Sequence, residues 1–261
     1  MKRGITIRLG YADVTFRKCP ECQEPDCYST AKECPIHNVP TEFVRKVSFV
    51  DAPGHESLMA TMLSGAAIID GAILLVAANE FCPQPQTREH LMALEMSGIK
   101  NVIIVQNKID LVDKERVLKN YSQIKDFLKG TSYENSPIVP ISAQHNVNLD
   151  LLIDTIEKYI QAPKRDSTKD PLMFIARSFD INKPGTTPEK LKGGILGGAV
   201  MQGILKSGDR IEIRPGHITE EANQIVAKPI FTTIKSMITG SSPVDELHPG
   251  GSVALMTDLD P

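Results

Sequence analysis

The sequence contains no apolar run that approaches the roughly 18 to 20 residues of a membrane-spanning helix, and no secretory signal opens it. Nor is there an excess of basic residues, since 29 Lys and Arg stand against 32 Asp and Glu. The electrostatic signature of an autonomous nucleic-acid binder is therefore missing, and we expect any RNA contact to be local or shared with a partner. With 261 residues, 41% of them hydrophobic, the chain is long enough for two globular domains. We predict a cytoplasmic protein without membrane contacts.

Cysteine is scarce, but four of the five cysteines lie within residues 19–34. In such a context a cluster indicates metal binding rather than a disulfide scaffold. The segments Cys19-Pro-Glu-Cys22 and Cys34-Pro-Ile-His37 are two short-spaced pairs, which bring four ligands within reach of one tetrahedral Zn²⁺. We therefore predict a structural zinc in a zinc knuckle over residues 18–38. Its ligands would be Cys19, Cys22, Cys34 and His37.

Two alternatives remain open for this segment. Cys27 lies between the two pairs, so Cys19, Cys22, Cys27 and Cys34 would also make a zinc site, with His37 a surface residue. In the other alternative the thiols are reduced and hold no metal.

The segment that ends in Asp51-Ala-Pro-Gly54-His55 follows an apolar run at 47–50 and precedes a stretch of helical periodicity. This order predicts a buried strand, a tight loop and the start of a helix. The glycine would let its backbone N–H approach a phosphate, and the helix N-terminus would add a positive dipole end. The Asp51 carboxylate could hold Mg²⁺ through water. Taken alone, Asp-x-x-Gly also suits an ordinary turn.

Thr6 precedes an alternating, strand-like segment near the start of the chain. In a phosphate-binding protein its hydroxyl could bind Mg²⁺ and its N–H a terminal phosphate, as switch segments do. The alternative is an exposed strand threonine.

A second polar motif, Gln106-Asn-Lys-Ile-Asp110, follows an apolar strand at 102–105. Side chains at the carboxyl end of a parallel strand point into the crevice where such sheets bind ligands. Asn107 could donate to the N7/O6 edge of guanine, and Asp110 could accept from the N1–H and N2 amine that adenine lacks. Three further residues are expected near the base: Lys108, Ser142 and Ala143.

Strands that alternate with helices from 44 to 160 predict an α/β fold with a parallel sheet. One of these strands, the apolar run at 71–78, is expected to be buried on both faces. Helices are expected around 91–95, over 113–129 and over 149–160.

Beyond a charged, proline-bearing linker at 161–170, the pattern changes to short β-like runs separated by Gly and Pro, which predicts a small antiparallel β-barrel. The expected domains are therefore 1–165 and 171–261. The Gly-rich run at 193–198 lacks the strand-then-helix setting of a dinucleotide loop, so we interpret it as close backbone packing in a barrel strand.

Taken together and in this order, Thr6, Asp51-x-x-Gly54-His55, Asn107-Lys-x-Asp110 and Ser142-Ala143 resemble the motifs of the translational GTPases. Within that superfamily the chain is similar to the gamma subunits of archaeal and eukaryotic initiation factor 2, the archaeal form more closely. The segments that carry this second resemblance are 19–37, 79–87, 177–185 and 191–194.

The resemblance implies a P-loop GTPase-type sheet that binds GTP or GDP and Mg²⁺. It also implies delivery of methionylated initiator tRNA to the small ribosomal subunit and contacts with the alpha and beta subunits of the factor. The implied residue roles are Thr6 on Mg²⁺ and the gamma-phosphate, Asp51 on Mg²⁺, Gly54 on the gamma-phosphate, Asn107 and Asp110 on guanine, and His55 on the attacking water.

Two parts of that family pattern are not found in the 261 residues: the Gly-x-x-x-x-Gly-Lys-Ser/Thr loop, with the strand before it, and the third domain. We therefore expect this chain alone to bind nucleotide weakly or not at all. In the family's sheet order the missing strand lies between the strands at 46–50 and 72–77, so we expect two apolar edges there, open or filled by another segment. Direct ladder bonds between the two strands would contradict this expectation.

Two other functions compete with this reading. One is a GTPase-like scaffold that binds protein or RNA without catalysis. The other is the elongation factor dedicated to selenocysteine, against which the zinc knuckle and the segment at 177–180 argue.

Overall fold

The computed structural model describes residues 10–51, 68–182, 185, 187, 193–221, 224–240 and 242–259. Three residues with expected roles, Thr6, Gly54 and His55, lie outside the described residues. The chain divides into two compact units, Met1–Pro163 and Lys164–Pro261. Within the described ranges, the helices are too short or too polar to span a lipid bilayer.

The described part of the first unit has six strands: β1 (Gly10–Lys18), β2 (Tyr28–Ser29), β3 (Glu42–Asp51), β4 (Ala72–Ala77), β5 (Val102–Asn107) and β6 (Ile138–Pro140). Within this unit, β4, β5 and β6 form a parallel sheet in that order. Its helices are α1 (Pro85–Met96), α2 (Lys114–Leu128) and α3 (Leu149–Tyr159), with a short 3₁₀ helix at Ile109–Leu111. The α/β class predicted from the alternation of strands and helices is confirmed.

The strand that carries residues 47–50 pairs differently from the expectation of one parallel sheet. It belongs to β3, which pairs antiparallel with β1 from Gly10 opposite Asp51 to Lys18 opposite Glu42, in a separate sheet with the order β2-β1-β3. Among the described residues no ladder bond joins 46–50 to 72–77. The pairing that would contradict the expected open edges is therefore absent from this part of the chain.

Alternate residues of β5 pack on opposite faces of the parallel sheet. Val102 and Ile104 pack against α1 and α2, whereas Ile103 and Val105 pack with α3 and Phe16 of β1. The sheet core is therefore covered by helices on both sides at β5, as the continuous apolar run predicts.

β4 is not buried on both faces, and that expectation is wrong. Leu74 and Val76 are each only 6% exposed, because they pack in the cluster with α1, but Leu75 is 61% exposed. The opposite face is covered at β5 and β6 by α3, and no described element extends that cover over Leu75.

The second unit consists of antiparallel strands, as predicted. They are β7 (Leu172–Phe179), β8 (Ile195–Gln202), β9 (Leu205–Lys206), β10 (Arg210–Glu221), β11 (Gln224–Thr233), β12 (Ser236–Thr239), β13 (Ser242–Val244), β14 (Glu246–Leu247) and β15 (Gly250–Met256). Five form a sheet in the order β13-β12-β15-β8-β7, and the pairs β10-β11 and β14-β9 complete the unit.

The Gly-rich run packs closely against neighbouring backbone, which confirms its interpretation. A Cβ on Gly198 in β8 would lie 1.9 Å from the carbonyl oxygen of Phe174 in β7, and one on Gly193 would lie 1.8 Å from that of Thr257. Only glycine permits these approaches.

Candidate base-binding and metal sites

Asn107 ends β5, and its side chain is oriented by two backbone amides. Asn107 Oδ1 accepts hydrogen bonds from the N–H of Lys108 at 2.7 Å and from the N–H of Ala143 at 3.1 Å. Lys108 has a left-handed backbone conformation with φ 63°, at the turn between β5 and the 3₁₀ helix. Because the oxygen accepts both bonds, the amide Nδ2 is left as a donor, and it has no partner among the described residues. A base edge with acceptors at O6 and N7 would suit it.

Asp110 lies in the 3₁₀ helix, and Ser142 follows β6. The Ser142 hydroxyl donates a hydrogen bond of 2.5 Å to Asp110 Oδ1, and His145 Nε2 lies 3.7 Å from Asp110 Oδ2. The hydrogen bond from Ser142 lowers the pKa of Asp110, although desolvation opposes this effect. The group is therefore a carboxylate at neutral pH, able to accept from two adjacent N–H donors.

The loop after β6 is closed by its own backbone. The N–H of Ser142 donates to the carbonyl of Val147 at 3.2 Å, and the N–H of Val147 donates back at 3.1 Å. Asn148 has a left-handed backbone and donates from Nδ2 to the Pro140 carbonyl at 2.8 Å. This closure holds the Ser142 hydroxyl and the Ala143 N–H beside the loop after β5.

The structure thus brings together four of the five residues predicted to bind the base: Asn107, Asp110, Ser142 and Ala143. The fifth, Lys108, is adjacent through its backbone. We refer to the two loops that carry these five residues as the base-recognition loops, after their predicted role. Sequence reasoning missed His145, which faces Asp110. It also missed Gln106, a buried polar residue one position before the end of β5, which follows four apolar and fully buried residues. That break in the apolar pattern was the available signal.

Asp51, predicted to bind Mg²⁺, ends β3 opposite Gly10. A Cβ on Gly10 would lie 3.2 Å from Asp51 Cβ, so the aspartate side chain packs over the glycine backbone. Within the described part of the chain no hydrogen bond or ion pair joins Asp51 to the base-recognition loops. Its role on Mg²⁺, like those of Thr6, Gly54 and His55, stays a prediction.

The four predicted zinc ligands converge on one point. The Sγ atoms of Cys19, Cys22 and Cys34 and a ring nitrogen of His37 all lie within 4.8 Å of one another. Cys22 Sγ and Cys34 Sγ are 3.8 Å apart, and His37 Nδ1 lies 3.3 to 3.8 Å from the three sulfurs. Ligands of a tetrahedral zinc, with bonds of about 2.3 Å to sulfur and about 2.0 Å to nitrogen, would be separated by about 3.5 to 3.8 Å. The donor set and its spacing therefore fit Zn²⁺.

Two thiols of this cluster have opposite pKa shifts without metal. Backbone N–H bonds, the largest from His37, lower the pKa of Cys34 to about 6. Desolvation and the neighbouring sulfurs raise the pKa of Cys22 to about 12. Gathered thiols repel each other's charge, which a divalent cation would relieve.

Cys27 does not belong to this cluster. Its side chain is 1% exposed, and its carbonyl accepts a hydrogen bond from the N–H of Cys19 at 2.8 Å. The residue therefore supports the first ligand turn through its backbone.

Ion pairs connect the knuckle to α3. Lys158 Nζ lies 3.0 Å from Glu24 in the knuckle and 2.7 Å from Asp154 one turn earlier in the helix. Glu24 also pairs with Lys18 at 2.9 Å. Because α3 begins directly after the loop at 142–148, the knuckle and the base-recognition loops are attached to the same helix.

Comparison with known proteins identifies relatives of this chain. The sequence matches the elongation factor Tu GTP binding domain family over residues 1–162. It is 60% identical over 261 residues to translation initiation factor 2 subunit gamma of Archaeoglobus fulgidus, and 58% identical over 260 residues to that of Methanothermobacter thermautotrophicus. All of this chain is covered in both cases, but only 61% and 64% of the relatives, so the chain spans about three-fifths of their length.

Two solved structures are similar to most of this chain. Translation elongation factor SelB from Methanococcus maripaludis, in complex with the GTP analogue GPPNHP, has a TM-score of 0.68 at 25% identity, over 98% of this chain and 47% of that one. Bacterial selenocysteine-specific elongation factor EF-Sec has the same score and identity, over 98% of this chain and 36% of that one.

Proposed function

Because the chain belongs to the family of the elongation factor Tu GTP binding domain, we propose that it is the GTP-binding part of a translation initiation factor 2 gamma subunit. The observation that carries this proposal is the pairing of an oriented amide donor, Asn107, with an ionised acceptor, Asp110, in the base-recognition loops. The 60% identity to a relative named as that subunit supports the choice of factor.

The two side chains explain a preference for guanine over adenine. Guanine presents acceptors at O6 and N7, which suit the Asn107 amide, and donors at N1 and N2, which suit the Asp110 carboxylate. Adenine has no donor at N1 and no amine at C2, so Asp110 would lose both of its partners, and its N6 amine replaces the O6 acceptor, so Asn107 would keep only N7. The backbone at Ser142 and Ala143 would lie near O6 of the base.

The phosphates and Mg²⁺ would be bound by residues at the other loops. Asp51 and Thr6 are the proposed Mg²⁺ ligands, Gly54 would contact the gamma-phosphate, and His55 would orient the attacking water. Mg²⁺, when bound, neutralises charge that develops on the phosphates. The phosphate-binding loop with Gly-Lys-Ser/Thr is not in this sequence, so we propose that the chain alone binds nucleotide weakly and hydrolyses GTP slowly or not at all.

The Cys/His cluster is proposed to hold a structural zinc. Its spacing supports three thiolates and one imidazole around a tetrahedral ion, with Cys27 outside. Zinc binding would stabilise the segment between β1 and β3, whose one strand, Tyr28–Ser29, is only two residues long.

We further propose that the whole factor delivers methionylated initiator tRNA to the small ribosomal subunit in the cytoplasm, together with its alpha and beta subunits. The net charge of −3 is compatible with a tRNA surface shared between parts of the complex. Retention of initiator tRNA on the complete factor with a GTP analogue, but not with GDP, would test it.

An elongation factor dedicated to selenocysteine is the second candidate, since the solved structures of bacterial selenocysteine-specific elongation factor EF-Sec and of elongation factor SelB each match 98% of the chain. Their identity of 25%, against 58% to 60% for the initiation factor subunits, favours initiation. A binding scaffold without nucleotide would leave the unpartnered Asn107 donor without a role.

A base-exchange experiment tests the nucleotide proposal. The Asp110→Asn variant should lose affinity for GDP and gain it for xanthosine diphosphate, because its amide can donate to the C2 carbonyl of xanthine. We expect the two affinities to change in opposite directions by at least about tenfold. The titration should be done on this chain and on a form preceded by a phosphate-binding loop. If neither form prefers GDP to ADP, the proposal is wrong.

A further inference from the structure

Two polar residues lie fully buried beneath the base-recognition loops. Gln106 and Asn120 are both 0% exposed. Gln106 Nε2 donates to Asn120 Oδ1 at 2.8 Å and to the carbonyl of Val117 at 2.9 Å, both on α2. Asn120 Nδ2 donates in turn to the carbonyl of Glu80 at 2.8 Å, in the segment that follows β4. Buried polar groups are costly unless bonded, so this pair requires an explanation.

The pair connects the three elements that meet at the end of β5. Gln106 directly precedes Asn107, and alternation along the strand places their side chains on opposite faces. The backbone already joins this strand end to its neighbours, since the Gln106 carbonyl accepts from Ile141 N–H and the Asn107 carbonyl from Ala78 N–H, both at 2.8 Å. The Gln106 side chain adds a connection to α2, and Asn120 extends it to the segment after β4.

Stability alone does not account for the pair. Gln106 Oε1 is buried and has no hydrogen-bond partner among the described residues. Apolar side chains of the same size would fill this space without an unpaired acceptor, and such exchanges are often neutral or stabilising. What an apolar pair would not supply is direction, because hydrogen bonds fix the position of the strand end against α2 while apolar contacts allow it to slide.

We propose that Gln106 and Asn120 are positioning residues for guanine recognition, which hold the end of β5 so that Asn107 and Asp110 face the base together. This inference rests on the proposed function. Neither residue contacts the base. Their effect is carried by the backbone at residues 106 and 107, from which the Asn107 side chain reaches the amides of Lys108 and Ala143.

The test separates positioning from stability. Gln106→Met and Asn120→Leu each leave a buried partner unpaired, so both should lower the melting temperature. The double variant removes both partners of the Gln106–Asn120 bond, so it should be no less stable than Asn120→Leu alone, in which the Glu80 carbonyl also loses its donor. The ratio of dissociation constants for inosine diphosphate and GDP reports the base contact, because inosine lacks the N2 amine that Asp110 would bind. We expect this ratio to fall about three- to tenfold in the double variant, and further than in Asn120→Leu alone, although the melting temperature does not fall further.

A matched control uses the same helix. Gln123 on α2 accepts from Cys82 N–H at 3.2 Å, in the same segment after β4, but does not bond to β5. Gln123→Met should therefore leave the base ratio unchanged. Hydrogen exchange of the Lys108 and Ala143 amides gives a second readout without nucleotide, and it should be about tenfold faster in the double variant.

The outcomes are distinct. A wild-type chain that prefers GDP, with a double variant whose ratio and amide exchange are unchanged, overturns the positioning role alone. A ratio that falls and recovers with the melting temperature across the variants also overturns it. If neither the wild-type chain nor its form preceded by a phosphate-binding loop prefers GDP to ADP, the proposed function is wrong, and this inference with it.

Discussion

The hydroxyl of Ser142 donates a hydrogen bond of 2.5 Å to the carboxylate of Asp110, across 32 residues of sequence. This bond joins the loop after β6 to the loop after β5. It also stabilises the ionised form of the aspartate, which is the form that can accept from guanine.

Ser142→Ala should therefore raise the pKa of Asp110 towards its ordinary value of 3.8. Because the pKa of Asp110 is lower in the folded chain, the bond stabilises the fold at any pH above the ordinary pKa of the group. This contribution is lost as the pH falls through the pKa of Asp110 in the folded chain. In the variant the titration would occur at higher pH. Carboxyl carbon chemical shifts followed by NMR against pH measure it.

Asp258 provides an internal control for this titration. Its pKa is also lowered by a threonine hydroxyl, Thr232, in the other unit, and it should not change in the Ser142 variant. An Asp110 pKa that stays where it is in wild type would contradict the assigned cause.

Removal of a zinc ligand should abolish metal binding. We expect the wild-type chain to contain about one zinc ion. The Cys22→Ser and Cys34→Ser variants should each contain much less, because a four-ligand structural site has no spare donor. Metal released by denaturation and measured with a colorimetric chelator gives the stoichiometry.

Cys27→Ala is the matched control for the metal site. Its thiol is buried outside the cluster, so this variant should keep its zinc even if its melting temperature falls. Loss of zinc in Cys27→Ala with retention in His37→Gln would favour the four-cysteine alternative.

Adjacent glycines in β8 should differ sharply in tolerance. Gly198→Ala would place its Cβ 1.9 Å from a backbone oxygen, whereas the nearest atoms to a Cβ on Gly197 are side-chain atoms at 3.4 Å. We expect Gly198→Ala to lower the free energy of unfolding of the second unit by about 3 kcal/mol or more. Gly197→Ala should change it by less than about 1 kcal/mol. Denaturant titrations of both variants test the contrast, and equal effects would show that β7 can move away.

Neighbouring leucines in β4 should also differ. Leu74→Ala should lower the free energy of unfolding by about 2 to 4 kcal/mol, because the well-packed side chains around it would not close the cavity that the truncation leaves. Leu75→Ala should cost less than about 1 kcal/mol, since that side chain is 61% exposed. A large loss at Leu75 would mean that something covers this face of β4 in solution.

The bounds of a helix can be predicted from local sequence pattern, but its buried face only in part. α2 begins after Asp113, whose side chain caps the helix by accepting a hydrogen bond from Arg116 N–H at 2.8 Å. The predicted range of 113–129 is confirmed to within one residue at each end. Helical periodicity places Val117, Tyr121, Ile124 and Leu128 on one face, but Asn120 is fully buried while Tyr121 is only half-buried. Hydrophobic periodicity has no means of recognising a buried asparagine, because its burial depends on a partner 14 residues away, Gln106.

The amino-acid sequence by itself determined the order of strands and helices, the two polar motifs at the strand ends and the cysteine-rich segment, because each depends on spacing along a short stretch of chain. Only the tertiary structure decided which pairs meet: β3 with β1, Cys19 and Cys22 with Cys34 and His37 rather than Cys27, and Gln106 with Asn120. These choices are made by packing between segments far apart in sequence, where one contact depends on the position of all the others.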